Sequence, residues 1–584
     1  MEYIKSFKKF MEYGIENKIE LIKYYFLSIL VSLLELGGVA LIYPFIFSII
    51  NNSSGMTTKN CLLGGLIISL FLLKNFFMIY YTRLQIDFVQ RCNVFILKKF
   101  MKFFIMGKYH DTYKISYAQK GHILNYIIPN CIDNYLLRIL NLSINILIFI
   151  LISTFLFVKF FTASIITVIC ASLILYAEIK FFQCKTRNLA QILKDINLKI
   201  GQFLNNAMLN IKTIKINNSE GLFFDKYAGL QDKKFKYNSS LQFYNLIAPY
   251  ITEPLIIILL FILLAIISLQ NLDKTATLIA SYALIASAIF RLAPSINRIQ
   301  VNVTGIKNNM PILNDFFKYY ELYNIKEVES ISANKNKIEF NKSIEFKGLS
   351  FAYDEKLVLD NINLTINKGE FIGIAGLSGV GKTTLVDIIS GLLKPQLGKI
   401  IVDGIDYGLE MPALKIGYIP QDFGIISATI RENVAFGQEK IDDNRVIEVL
   451  KLAQIYDYIV ENFEDGIYAN PFVDSTGLSQ GQKQRLAIAR ALYADPDVLI
   501  LDEATSALDL KTEEEICEVL KNLKGEKTII AIAHRLSTIK FADKIVFMIN
   551  GKIANVLPFE ELMSKSGEFN ELVKMSSVLH NNED

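Results

Sequence analysis

An all-α six-helix transmembrane domain followed by an α/β P-loop domain is the fold class that this 584-residue sequence predicts. Three observations predict it. Six apolar stretches, each near the ~20 residues that a helix needs to cross a bilayer, fall within the first 310 residues. From about residue 336 the pattern changes to short β-branched runs punctuated by glycine, separated by helical stretches. The third observation is "GLSGVGKTT", which starts directly after one of those runs, "EFIGIA", and leads into the helical "TTLVDIISGLL". With 52% hydrophobic residues and a mean hydropathy of +0.34, much of the chain should sit in lipid.

Taken in order, residues 1–20 mix lysines with aromatics at helical spacing and lack a short apolar core with a cleavage site. They predict an interfacial helix, not a removable signal. The six spans are expected at roughly 24–50, 62–82, 136–158, 161–183, 246–270 and 275–298. Polar segments of about 50–60 residues after the second and fourth spans keep helical periodicity, so the helices should run well past the bilayer. These segments carry the lysines and arginines, whereas "NNSSGMTTKN", "VKFFTA" and "QNLDKTA" hold about one lysine each. The positive-inside rule then places the long loops, both termini and the second domain in the cytoplasm. The expected division is a membrane domain over 1–320, a charged, aromatic linker over 321–335 and a nucleotide-binding domain over 336–584. No peptidase domain or added module is expected before the first span, so processing of a leader peptide is not built in.

The net charge of +4 is slight for this length and argues neither for nor against nucleic acid; no basic tract stands out, and no nucleic-acid partner is expected. Six scattered cysteines without a CxxC pair indicate neither a disulfide framework nor a zinc site.

Gly376 to Thr383 fit GxxxxGK[ST] in a strand–loop–helix setting. Gly376, Gly379 and Gly381, with Ser378 between them, allow backbone N–H groups to close around phosphates at a helix start that includes Thr384. Lys382 neutralises β/γ oxygens and Thr383 holds Mg²⁺. In "DVLILDEATSALD" four apolar residues end in Asp502, expected on Mg²⁺, and Glu503, expected to polarise the attacking water.

"LSQGQ" (Leu478–Gln482) before "KQRLAIARAL" and "LDEATSALD", then "AHRLST", with the phosphate loop upstream, resembles the nucleotide-binding domain of ABC transporters. Six spans followed by this domain resemble an ABC exporter half-transporter over nearly the whole chain. The resemblance implies an ATP hydrolase coupled to transport, and a homodimer that clamps ATP between the phosphate loop of one subunit and the signature of the other. It assigns Tyr353 to adenine stacking, and Gln421 to Mg²⁺ and membrane-domain contact. Ser479, Gly481 and Gln482 go to the opposite subunit's nucleotide, His534 to the γ-phosphate and Asp509 to communication across the dimer. The sequence departs from the family at Gln480, where the signature usually has its first glycine. A side chain there costs little if φ stays negative. It departs again at "NPFVDSTG", where Asp474 stands in for the usual acidic residue of that loop.

The membrane half carries charges of its own. Counting about 1.5 Å per residue, Glu35 and Lys74 lie at similar depth and can pair, and Glu253 lies at the depth of Arg291. Charges at such depth face a partner or a cavity. One reading pairs Arg291 with Glu253 and lets Arg298 snorkel. The other gathers Lys74, Arg291 and Arg298 around a basic, inward-facing cavity for an anionic ligand, with Pro294 and Ser295 between the arginines. "RLAPSINRI" and "SLLELGGVALIYPF" are most similar to bacterial flippases of lipid-linked oligosaccharides, which can carry a helix in the first external loop that "NNSSGMTTKN" is too short to form. The implied function is ATP-driven export or flipping of an amphipathic substrate across the bacterial cytoplasmic (inner) membrane, preferably an anionic glycolipid. A secreted peptide or another lipid is the alternative cargo. A membrane protein that the nucleotide domain only gates is the reading from another class, and Glu503 and His534 argue against it.

Overall fold

The computed structural model describes residues 2–15, 18–51, 58–270, 275–325, 337–421, 423–471, 477–502, 510–532 and 536–580, with the side chains of 2–5, 18, 51, 510–512, 536–537 and 575–580 and some inside 161–183 and 245–278 outside that description. The chain divides into two compact units, Met1–Gly107 with Asp111–Ile331, and Lys108–His110 with Ser332–Asp584. Most of the expected linker falls in 326–336, outside the described residues.

The first unit is helical. Its principal helices are α1 (Glu2–Gly14), α2 (Lys18–Ala40), α3 (Ile42–Asn51), α4 (Thr58–Met106), α5 (Leu137–Lys159), α6 (Phe161–Leu209), α7 (Glu220–Gln270) and α8 (Thr275–Leu322). The first apolar stretch is split between α2 and α3 because Pro44 has no N–H for the carbonyl of Ala40, four residues back. Helices α4, α6, α7 and α8 have 49, 49, 51 and 48 residues. At 1.5 Å per residue each is more than 70 Å long by this estimate, over twice the ~30 Å apolar thickness, in line with helices that run past the bilayer. Among the described residues Ile19–Ile50, Thr58–Met106, Tyr117–Lys159 and Ile279–Leu322 are long and apolar enough to cross a membrane. Helices α6 and α7 occupy the places of the fourth and fifth expected spans, where part of the side chains lie outside the described residues.

The N-terminal helix differs from its expected interfacial role. Phe10 is fully buried, and its ring lies 5.8 Å from both Phe316 and Tyr135. Tyr13 stacks on Tyr320 at 4.3 Å. Aromatics three apart on α1 meet Phe316 and Tyr320, four apart on α8, so protein instead of lipid covers this apolar face. Higher in the bundle, Tyr24 bonds to the hydroxyl of Tyr81 and donates to the Leu140 carbonyl at 2.9 Å. Gln85 donates to Asn141 at 2.9 Å. These polar bonds tie α2, α4 and α5 along one seam.

The second unit is α/β. Its strands are β1 (Ser343–Tyr353), β2 (Lys356–Asn367), β3 (Phe371–Gly376), β4 (Leu397–Val402), β5 (Ile405–Asp406), β6 (Ile416–Ile419), β7 (Val498–Asp502), β8 (Thr528–Ile532), β9 (Lys544–Ile549) and β10 (Lys552–Leu557). A six-stranded sheet has the order β10-β9-β3-β8-β7-β6, parallel except for β10 against β9. A second, antiparallel sheet has the order β2-β1-β4-β5. Every residue of β7 and β8 is buried, as expected of apolar runs without alternation in a sheet covered on both faces. The short β5, like β6 and β10, is a strand that glycine-punctuated β-branched runs do not single out.

The sheet centre leaves no room at Gly373 of β3, which pairs with Ala531 and Ile545. A Cβ there would lie 2.7 Å from Cβ and Cγ2 of Ile539. Gly373→Ala should therefore destabilise this unit by about 1–3 kcal/mol through overpacking, read as a lower midpoint of its calorimetric transition in the full-length protein.

Candidate functional site

Strand order brings the phosphate loop, Gln421 and Asp502 to one edge of the six-stranded sheet. Strands β3, β6, β7 and β8 are parallel, so their carboxyl ends share that edge, where ligands of α/β sheets bind. The phosphate loop follows β3, Gln421 follows β6 by two residues and Asp502 ends β7. Glu503, Asp509 and His534, the last two residues after β8, lie outside the described residues, as does the 472–476 part of the loop containing Asp474.

The loop's form follows from its glycines. Gly376 leaves β3 at φ 154°, and a Cβ there would stand 2.5 Å from the Met548 carbonyl oxygen. Gly381 has φ 99° and would place a Cβ 2.8 Å from Leu359 Cδ2. Both positions therefore require glycine. Helix α9 (Lys382–Ile389) then begins without a side-chain cap, which leaves the N–H groups of Lys382, Thr383 and Thr384 without intrahelical acceptors, a setting for an anion. Lys382 Nζ donates to the carbonyls of Gly376 at 2.9 Å and Leu377 at 3.0 Å, so the ammonium is held inside the loop. Ser378, Gly379 and Thr383 are exposed at the loop mouth and Thr384 is buried beneath it.

Asp502 is 8% exposed and accepts a hydrogen bond from Tyr418 of β6 at 2.9 Å. Burial, then the neighbouring Asp502 carboxylate, push Asp387 of α9 up to about 6. Asp502, Asp387 and the Thr383 hydroxyl are hard oxygen donors of the kind that Mg²⁺ takes. Tyr353 closes β1 edge-on to Phe351 at 4.9 Å and stacks with His110, which groups with this unit, at 5.8 Å. Gln421 is exposed.

The signature starts helix α10 (Gln480–Tyr493), where Ser479 is the N-cap in a capping box with Gln482. Its hydroxyl accepts from the Gln482 N–H at 3.3 Å and Gln482 Oε1 accepts from the Ser479 N–H at 2.7 Å. Gln480 is the first helical residue and has no positive φ, so the side chain at this departure is tolerated. Sequence reasoning missed the clamp at the other end of α10. Arg490 Nε donates to the Asn433 carbonyl at 2.7 Å, Nη2 to Asn433 Oδ1 at 2.8 Å and Nη1 to the Gly424 carbonyl at 3.0 Å. Fully buried Asn433 in turn donates to the carbonyls of Ile426 and Ala428 at 3.0 and 3.1 Å. The signature helix thereby fastens the backbone that follows Gln421. The available signal was "TIRE", a capping box that fixes where Asn433 lies.

The first unit gathers charges from three helices. Glu35 of α2 accepts an ion pair from Lys74 of α4 at 2.7 Å and another from Arg291 of α8 at 3.2 Å, one on each carboxylate oxygen. The Glu35 and Lys74 side chains are 8% and 13% exposed, and the Arg291 guanidinium lies 4.8 Å from the Phe71 ring centroid. The pairing of Glu35 with Lys74 agrees with their matched depth. Arg291, however, pairs with Glu35 and not with Glu253, which is exposed on α7. Depth along a helix gives height, not which helices are neighbours. Arg298 is exposed and forms no ion pair among the described residues. Ser295 donates to the Arg291 carbonyl at 3.4 Å.

The ABC transporter family profile matches residues 359–506. The "ATP-dependent lipid A-core flippase" of Syntrophus aciditrophicus (strain SB) is 40% identical over 235 residues, 40% of this chain and 39% of that protein. That of Francisella novicida is 34% identical over 401 residues, 66% of this chain and 65% of that protein. The chain thus matches less than two thirds of the length of either relative. The solved structure of a bacterial Atm1-family ABC exporter with ATP bound has the same fold, with a TM-score of 0.69 at 20% identity over 94% of this chain and 98% of that one.

Two outcomes follow from these contacts. Arg490→Lys keeps charge but loses the fork, and should lower stability by about 1–3 kcal/mol in thermal denaturation of the full-length protein. Glu35→Gln leaves two cations on one neutral amide and should cost about 3–5 kcal/mol, whereas Glu253→Gln should leave the melting midpoint near that of the parent.

Proposed function

Because the chain is an ABC half-transporter, a helical membrane domain fused to an ABC ATPase domain, we propose that it uses ATP hydrolysis to export or flip an anionic amphipathic substrate across the bacterial cytoplasmic (inner) membrane. The preferred substrate is a lipid-linked oligosaccharide or another anionic glycolipid. One observation carries the substrate class: Glu35 is shared by two cations and Arg298 has no acidic partner among the described residues, which leaves uncancelled positive charge in the membrane domain. Uncancelled charge of one sign in a membrane domain calls for a ligand of the other. The lipid A-core flippases among its relatives support a lipid.

In this reading the phosphates of ATP lie on the N–H groups from Gly376 to Thr384, and Lys382 exchanges the two loop carbonyls for β/γ oxygens. Tyr353 stacks on the adenine. Thr383, Asp502 and Gln421 hold Mg²⁺, and the chemistry the ion supplies is neutralisation of charge on the transferring phosphoryl group. Glu503 orients and deprotonates the attacking water, and His534 contacts the γ-phosphate. Each chain has one phosphate loop and one signature, so Ser479, Gly481 and Gln482 complete the site of a second copy and Asp509 links the pair. The composite site makes a homodimer the working unit, with both termini and the ATPase domain in the cytoplasm.

Glu503→Gln should lower steady-state hydrolysis about a hundredfold or more while ATP binding persists; retained turnover removes Glu503 from its role. Mixing Lys382→Ala with Ser479→Ala chains should restore one of two sites in heterodimers, and full-rate hydrolysis by monomers overturns the composite site. Arg291→Ala leaves Glu35 paired with Lys74, so the fold should survive. In proteoliposomes that variant should lose transport and substrate-stimulated ATPase yet keep basal ATPase, and Arg291→Lys should recover part. Unchanged transport of an anionic glycolipid by Arg291→Ala overturns the substrate assignment.

A further inference from the structure

Arg291 and Arg298 are seven residues apart on α8, and a second step of seven arrives at Gly305. Seven residues advance an α-helix about 10.5 Å and return within ~20° of the same face. Position 305 thus continues the arginine row but carries no side chain. The space is filled from α5. A Cβ added to Gly305 would meet the Nη1, Cζ and Nε atoms of Arg138, none of them farther than 2.6 Å. The guanidinium of Arg138 therefore sits where a third arginine of the row would be.

That guanidinium is poorly answered. Its one hydrogen bond among the described residues runs from Nη1 to the Val301 carbonyl at 3.3 Å, and no carboxylate among those residues pairs with it. Nε is buried and has no acceptor. Nearby in sequence, Thr304 precedes the glycine and is 2% exposed, and Tyr135 lies three residues before Arg138 and is fully buried; neither hydroxyl has a hydrogen-bond partner. A guanidinium has five N–H donors in a planar fork, and a half-buried one with a single long bond to a neutral carbonyl carries most of its desolvation unrelieved. The unmet atoms include Nε–H and two hydroxyls able to donate. An anion with several oxygens answers such a set, and a phosphate group matches the fork.

We propose that Arg138, seated on Gly305, is the cytoplasmic-end rung of a three-guanidinium row with Arg298 and Arg291 that binds the phosphate-bearing headgroup of an amphiphile. The row lies along one face of α8, with the rungs about 10 Å apart, so a headgroup that leaves one rung comes within reach of the next. The inference rests on the anionic-amphiphile reading above and adds a position and a direction to it. Gly305 is then a specificity-determining residue because it makes room for the guanidinium.

The test uses the full-length protein in detergent, with native mass spectrometry to titrate retention of phosphatidic acid against phosphatidylcholine. Phosphatidic acid should be retained in preference. Arg138→Gln and Gly305→Ala should each weaken that retention by about tenfold, the scale of one charge-assisted hydrogen bond. Gly305→Ala keeps the arginine and only displaces it, so it decides the matter if Arg138→Gln fails to fold. Arg138→Lys should retain part of the preference. If Arg138→Gln and Gly305→Ala lower the melting midpoint but leave retention at the parent level, the guanidinium is structural and hydrated, and the inference falls. If Arg291→Ala and Arg298→Ala weaken retention while Arg138→Gln and Gly305→Ala do not, this inference alone fails. If all four leave it unchanged, the anionic-amphiphile reading fails as well. Inorganic phosphate is the competing source, and displacement of phosphatidic acid by inorganic phosphate at equal concentration overturns the lipid headgroup as the occupant.

Discussion

A charge withdrawn from water must be answered by an opposite charge or by hydrogen bonds, and both units are organised by that constraint. In the membrane-type unit one carboxylate, Glu35, answers two cations from different helices, which fixes α2, α4 and α8 against one another at a single point. In the nucleotide-type unit the answers are carbonyls. Lys382 is held by two of them in its own loop, and Arg490 uses its fork to gather those of Asn433 and Gly424. Asp502 and Asp387 are the inverse case. Burial, then the neighbouring Asp502 carboxylate, raise the proton affinity of Asp387, and a divalent cation at this edge would lower it again. Function gathers where the answer within the chain is incomplete.

Much of this was legible in the sequence because it rests on local rules. The phosphate loop announces itself through glycines whose φ values or close approaches forbid a Cβ, and the central strands through unbroken apolar runs. Strand β6 escaped notice because four residues of "IGYI" offer too short a pattern to distinguish from a loop, and β10 because "KIANVL" alternates on an exposed edge. The partner of Arg291 is not legible for a different reason. Distance along an axis ranks Glu35 and Glu253 by height, but which carboxylate the arginine reaches depends on which helices pack together, and that is set by many weak contacts across the bundle. The capping role of Ser479 was visible in "SQGQ", whereas the clamp of Arg490 on a loop 57 residues away was not, because long-range hydrogen bonds leave no periodic trace.

The N-terminal helix teaches a related lesson. An amphipathic pattern states that one face must be covered and does not name the cover. Aromatic residues on α8 cover it here, and the same pattern would serve equally against lipid.

The helix lengths have a mechanical consequence. Helices α4 and α6 contain no proline over 49 residues each, so every turn keeps its backbone hydrogen bonds and the two behave as stiff rods. Helices α7 and α8 each contain two prolines, at 249 and 254 and at 294 and 311, where missing bonds lower the bending stiffness. A rod about 74 Å long that tilts by about 4° about one end carries its other end about 5 Å, close to one turn of helix. Two of the long helices thus act as levers that amplify a small angular displacement, while the other two have flexure points at which the same displacement can be absorbed.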